Sequence, residues 1–471
     1  MRLPQELSDK KICIIGYGVE GKSTLNFLFS NAATITVADM KAESYFSAEE
    51  IKSWIDKGII FSFGLLPDLS EFDYIVRSPG VSPETLMSMD VPQEKITSAT
   101  QLFFDFCPAP IIGVTGTKGK GTTSSLIYEM LKASGKDAYL GGNIGTPALD
   151  FFDKLTPESI VVLELSSFQL IDLGKSSTAA NSDLIGSNAM VGKPHIAVML
   201  MITSEHLDYH NDVYEYVDAK RNIVRFQTAD NYAILNRDYP ASNESDLYTD
   251  AQLYLVSRDN ELDKGCFVKN NTVVIREDDM EKKVIDIKDI LLPGKHNWEN
   301  VCAAVMAAHL AGVDIKTIAT ILKTFKGLEH RLELVKTVKG VRYYDDSFST
   351  TPETALAAIE AFEDPKILIL GGSSKNSDFT ELGKIISSTE SIKAIIGVGE
   401  EWKRMKAQFP ISNFQFPIIE ECKNMEEIVQ KASEVAELGN VVILSPACAS
   451  FDMFKDYKDR GNQFKKAVNS L

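Results

Sequence analysis

The stretch Ile111-Ile-Gly113-Val-Thr-Gly116-Thr-Lys-Gly119-Lys120-Gly121-Thr122 decides the fold. An apolar run (IIGV) enters it, and the helical pattern TTSSLIYEMLKAS leaves it. A strand, a glycine-rich turn and a helix in that order make a phosphate cradle. Successive backbone N–H groups can converge on a β-phosphate, while Lys120 neutralises charge toward a γ-phosphate. The spacing departs from G-x-x-x-x-G-K-[ST]: Gly121 stands where a magnesium-binding hydroxyl is expected, and Thr122 follows it. A glycine turn of purely structural purpose is the alternative.

Toward the N-terminus, KICIIG, TITVAD, IIFSFG and DYIVRSPG read as strands, with amphipathic stretches such as Lys22–Ser30 and Ala48–Lys57 between them. That alternation predicts a parallel sheet with crossover helices. Gly16-Tyr-Gly18-Val-Glu-Gly21 follows the first strand, and Asp39 ends the next, where an acidic residue could meet a ribose hydroxyl. Those residues alone suit an NAD-binding dehydrogenase, a site for another diphosphate such as a UDP-sugar, or a bare βα turn. Cys107-Pro-Ala-Pro110 reads as a linker.

Toward the C-terminus, SIVVLEL, IAVMLMI and YAILN read as buried strands, and 251–287 as shorter, more polar strands of a small accessory sheet. Residues 174–193 read as a long loop, and KILILGG, KAIIGVG and NVVILSP restart the α/β rhythm after Glu329. The expectation is an α/β protein of three domains. These are an N-terminal Rossmann-like domain (1–106), a central P-loop ATPase domain with a parallel sheet (107–328) and a C-terminal Rossmann-like domain (329–471).

Composition narrows the function. Over 471 residues, 49 Lys+Arg face 66 Asp+Glu, a formal charge of −17. Such an acid surplus argues against nucleic acid or an anionic membrane as partner. No apolar run approaches the roughly 18–20 residues of a bilayer span, and no secretory pattern precedes the first strand. Six cysteines without a C-x-x-C pair read as reduced thiols, so a cytoplasmic location is expected.

The hexapeptide T-G-T-x-G-K at 115–120 resembles the nucleotide loop of the Mur ligase family, ATP-dependent enzymes that form amide bonds. Further segments are similar in order. Gly142–Gly145 matches GNIG, Glu164–Gln169 matches E-x-S-S-x-Q, and Thr203–Asp208 matches T-x-x-H-x-D. Gly294–Asn300 matches G-x-H-N-x-x-N, and His330-Arg331 matches the H-R dipeptide that opens the third domain. The N-terminal glycine loop and the ending LSPACASFDMFKDYKDRG (444–461) look most like members that add D-glutamate to UDP-N-acetylmuramoyl-L-alanine.

The resemblance implies a monomeric ligase of peptidoglycan precursor synthesis, working through an acyl phosphate with ATP and Mg2+. It implies catalytic roles for Lys120, His206 and Lys220, the last carrying a carbamate derived from carbon dioxide. ATP contacts fall on Gly116, Thr117, Lys118, Gly119, Lys120, Gly121, Thr122, Asn297, Asn300, Arg331 and Asp346. Metal contacts fall on Glu164, His206 and carbamylated Lys220, with Thr122 as a further candidate. The UDP-sugar falls to Val19, Glu20, Met40, Lys41, Asn143 and Ser166. The amino acid falls to Thr350, Lys375, Ser450 and Tyr457.

Elementary chemistry agrees with several of these. A carboxylate at a buried strand end, as at Glu164, suits a hard cation at the edge where α/β sheets bind ligands. Arginine's planar fork suits phosphate. Three positions depart from the family pattern: D-S-K-A-T reads Asp346-Ser-Phe348-Ser349-Thr350, and Tyr457 stands where Phe is usual. A Mur ligase for another amino acid, an NAD-dependent oxidoreductase and a non-catalytic nucleotide-binding regulator are the competing readings.

Overall fold

The computed structural model describes residues 10–29, 34–173, 193–203, 209–374, 376–410 and 416–471. Most of the expected long loop, His206 and Lys375 lie outside these residues.

The first sheet contains β1 (Lys11–Ile15), β2 (Thr34–Asp39), β3 (Ile60–Phe63), β4 (Tyr74–Arg77) and β5 (Ile96–Ser98) in the order β3-β2-β1-β4-β5. All its pairings are parallel. β1 is central, so Ile12, Cys13, Ile14 and Ile15 are all buried, as a strand covered on both faces requires.

The second sheet has nine strands: β6 (Ile111–Thr115), β7 (Ala138–Gly142), β8 (Ile160–Glu164), β9 (Ile196–Met199), β10 (Tyr232–Asn236), β11 (Gln252–Ser257), β12 (Gly265–Lys269), β13 (Thr272–Glu277) and β14 (Met280–Asp286). Their order is β14-β13-β12-β11-β10-β9-β6-β8-β7. The expected accessory sheet is therefore no separate sheet. β11 pairs parallel with β10 from Tyr232↔Gln252 to Asn236↔Val256, so 251–287 extends the central sheet. The polar look of β14 comes from its edge position, where Met280, Glu281 and Lys283 face solvent.

The third sheet holds β15 (Glu333–Val338), β16 (Val341–Asp345), β17 (Lys366–Gly371), β18 (Ile392–Val398), β19 (Ile418–Ile419) and β20 (Val441–Leu444) in the order β15-β16-β20-β17-β18-β19. It is parallel except for the β15–β16 hairpin, which turns through Lys339 and Gly340, both at positive φ. Alternate residues of β17 feed two separate cores: Leu368 and Leu370 on one face, Ile367 and Ile369 on the other.

The chain divides into two compact units, 1–287 with 299–321 and 288–298 with 322–471. In the first unit one apolar cluster runs through both sheets, with Phe27 edge-on to Phe152 at 4.9 Å and Phe103 to Phe151 at 5.9 Å. Arg77 and Asp172, both buried, pair at 2.6 Å across the same junction. Among the described residues, no helix is long and apolar enough to cross a membrane.

Candidate active site

β6 and β8 lie side by side with Val114 opposite Glu164, so the glycine loop and the Glu164 carboxylate leave the same edge of the sheet. Gly116 (φ 154°) and Gly119 (φ 85°) adopt backbone that L side chains avoid. A Cβ on Gly119 would collide with Asn300 Oδ1. Gly119 is also the N-cap of the helix Lys120–Ala133, whose first-turn N–H groups could face an anion.

Two lysines converge on this loop. Lys120 Nζ donates to Gly116 O at 3.0 Å and to Thr117 O at 2.9 Å. Lys220 Nζ, from the helix Val213–Arg225, donates to the same Gly116 O at 2.9 Å and lies 3.5 Å from Thr115 Oγ1. Lys220 is fully buried, with its ammonium 4.7 Å from the centre of the Tyr216 ring. Thr117 Oγ1 meets Tyr216 OH at 3.0 Å and accepts from Thr203 N at 2.9 Å, which ties the loop to the segment after β9. Lys118 is exposed, Thr122 is half-buried and Gly121 is buried.

Glu164 is buried, and one of its carboxylate oxygens accepts from Asn143 Nδ2 at 2.7 Å. Asn143 thus stands beside Glu164. Ser166 caps the short helix Ser167–Leu170 in a reciprocal box with Gln169. Gln169 Nε2 reaches back to Glu20 at 2.8 Å, and burial raises the Glu20 carboxyl above its usual range. Val19, Met40 and Lys41 are exposed near the first glycine loop.

Asp39 accepts from Tyr17 N at 2.7 Å and from Lys41 N at 2.9 Å, so each carboxylate oxygen orders its own loop.

Asn297 and Asn300 belong to the helix His296–Leu310 and both are buried. Asn297 Nδ2 donates to Pro293 O at 2.6 Å, a local tie at the start of that helix.

In the second unit, Arg331 sits between two left-handed non-glycine residues, His330 (φ 62°) and Leu332 (φ 44°). Carboxylates hold both neighbours: His330 N donates to Glu333 at 3.0 Å, and Leu332 N donates to Asp346 Oδ1 at 3.1 Å. The His330 ring pairs with buried Asp345 at 2.7 Å. Burial pushes the Asp346 carboxyl up to about 7, although Ser445 Oγ donates to it at 2.7 Å. Thr350 is half-buried, Ser450 is buried, and Tyr457 opens the helix Tyr457–Asn469. Among the described residues, His330, Glu333 and Asp345 are close enough to share a cation. Lys465 already holds Glu333 at 2.7 Å, and that fixed positive charge opposes a metal there.

The roles of Gln169 and Tyr216 were not anticipated. Gln169 lies inside a quoted motif, but its link to Glu20 spans 149 positions and leaves no local signal. Tyr216 sits four residues before Lys220, on the same face of its helix.

Comparison with known proteins bears on this geometry. Residues 10–97 match the Mur ligase MurD-like N-terminal domain, 114–308 the Mur ligase middle domain, and 330–448 the Mur ligase glutamate ligase domain. The UDP-N-acetylmuramoylalanine--D-glutamate ligase of Acetivibrio thermocellus is 37% identical, covering 99% of this chain and 98% of its own. The chain belongs to the Mur ligase family. The enzyme of the same name from Thermoanaerobacter sp. is 36% identical over 99% of both chains. Among solved structures, MurF from Acinetobacter baumannii aligns with TM-score 0.56 and 15% identity over 87% of this chain and 86% of its own. A pseudomurein peptide ligase type C from Methanothermus fervidus aligns with TM-score 0.53 and 18% identity, over 98% of this chain and 100% of its own. Those two structures speak to the fold.

Proposed function

We propose that this chain joins D-glutamate to UDP-N-acetylmuramoyl-L-alanine at the expense of ATP, a step of peptidoglycan precursor synthesis. The observation that carries the reading is the convergence of Lys120 and Lys220 on one loop carbonyl, a strand away from Glu164. Six free thiols accord with a cytoplasmic location. The UDP-sugar, nucleotide and amino acid are assigned to residues 1–106, 107–328 and 329–471 respectively.

The ligation needs an activated carboxyl. The γ-phosphoryl of ATP passes to the alanyl carboxylate, the amine of D-glutamate attacks the acyl carbon, and phosphate leaves as the tetrahedral centre collapses. The backbone N–H groups of 116–122 cradle the phosphates, and Lys120 exchanges its loop carbonyls for phosphate oxygens. Asn297, Asn300, Arg331 and Asp346 are assigned to the nucleotide. Val19, Glu20, Met40, Lys41, Asn143 and Ser166 are assigned to the UDP-sugar. Thr350, Ser450 and Tyr457 are assigned to the amino acid, as is Lys375 outside the described residues.

The residues present fit a magnesium ion: Glu164 is a buried oxygen donor at the loop's edge, steadied by Asn143. Thr122 and His206 complete the assigned set. The ion, when bound, offsets phosphate charge during transfer. Lys220 fits the carbamate assignment because its buried amine shares an acceptor with a second ammonium. That crowding eases when one of the two gives up its positive charge. A carbamate supplies an anionic oxygen where an ammonium cannot.

The test is phosphate release by the full chain with ATP and magnesium. It should require UDP-N-acetylmuramoyl-L-alanine and D-glutamate together. Release with another amino acid in place of D-glutamate would refute the specificity, and ATP-independent NADH oxidation would refute the ligase reading.

A further inference from the structure

We propose that Phe348, with Tyr457 at its edge, is a positioning residue that holds the Arg331 guanidinium ready for the nucleotide phosphates. The inference rests on the nucleotide role proposed above for Arg331. The guanidinium carbon lies 3.9 Å from the centre of the Phe348 ring, full contact between a planar cation and an aromatic face. The ring is fixed in turn. It stands edge-on to Tyr457 at 5.1 Å and 89°, and Tyr457 stands edge-on to His330 at 6.0 Å and 87°. Phe348 N donates to His330 O at 3.0 Å, which binds the ring's own backbone to the turn that carries Arg331.

The backbone around Arg331 is already over-determined. Left-handed His330 and Leu332 are held by Glu333, Asp345 and Asp346. Strained backbone held in place by its surroundings marks sites where one side chain must be aimed. The backbone cannot aim a side chain as long as arginine's, and an aromatic face can. Phe348 is 38% exposed, so filling a core does not explain a phenylalanine there.

Steady-state phosphate release by the full chain tests this. Phe348→Leu should raise the KM for ATP about threefold to tenfold. The KM values for D-glutamate and the UDP-sugar should hold, and Tm should be unchanged. Phe348→Trp, which keeps an aromatic face, should restore the ATP value. Arg331→Ala should also raise the KM for ATP, and adding Phe348→Leu to it should change nothing further, because the two residues act as one unit. Independent, multiplying effects would overturn the proposal, as would a KM change confined to D-glutamate or failure of the tryptophan to rescue. An Arg331→Ala variant with normal ATP kinetics would instead overturn the nucleotide role of Arg331, a distinct result.

Discussion

At Lys220 the choice between lysine and arginine separates two chemistries. Lys220→Ala should lose most of kcat while ATP still binds, and Lys220→Arg should fail almost as badly, since guanidinium keeps its charge and forms no carbamate. A lysine that only donates to Gly116 O would be largely replaced by arginine, so near-normal turnover of Lys220→Arg would refute the modification. Asp346 gives a prediction in pH. Its folded value of about 7 exceeds the ordinary 3.8, so between those values the folded chain keeps a proton that the unfolded chain has released. Its contribution to stability is full below 3.8 and is lost as pH rises toward about 7. Urea unfolding of Asp346→Asn should lack that slope, a difference on the order of 1–4 kcal/mol across the window. An identical slope in both proteins would show that another group titrates. The nearness of Lys120 and Glu164 at one sheet edge was legible because each lies at a strand end or loop that local pattern marks. The partners of Glu20 and Asn143 were not, since 149 and 21 positions separate them from Gln169 and Glu164.

Among the elements, the glycine loop and the strands that flank it were readable because apolar runs and helical periodicity bracket them. β7 escaped, being five residues with two glycines at the sheet edge, and β5 is three residues long. The joining of 251–287 to the central sheet was invisible for another reason: pattern marks a strand's faces, whereas its neighbour is chosen by tertiary pairing. The loop's geometry predicts that Gly119→Ala costs about 1–3 kcal/mol and weakens ATP binding, because the new Cβ meets Asn300 at a left-handed φ. A silent Gly119→Ala in calorimetry and ATP titration would refute that packing. Arg77, at the end of β4, donates to Phe168 O at 2.9 Å and pairs with Asp172 in the turn after the short helix Ser167–Leu170. Arg77→Leu should cost about 3–5 kcal/mol by taking the guanidinium from a buried carboxylate, and adding Asp172→Leu should recover much of it. Additive losses in urea titrations would mean that the pair is not coupled.

Over the whole molecule, the charge of −17 faces proposed substrates that are themselves anions: a nucleoside triphosphate, a UDP-linked carboxylate and D-glutamate. In the proposed roles, Lys120 and Arg331 would act at contact distance, where salt screens least, whereas the summed field of the chain acts at range, where it screens most. The long-range field would then oppose approach while the local cations hold what arrives. Raising ionic strength from about 10 mM to about 150 mM shortens the Debye length from about 30 Å to about 8 Å. The kcat/KM for the UDP-sugar should therefore rise modestly, on the order of twofold, with kcat nearly unchanged. Potassium chloride series at fixed free magnesium would read this directly. A steep fall of kcat/KM with salt would mean instead that a cationic mouth steers substrate inward, and that the site's lysines dominate the field despite the acidic surplus.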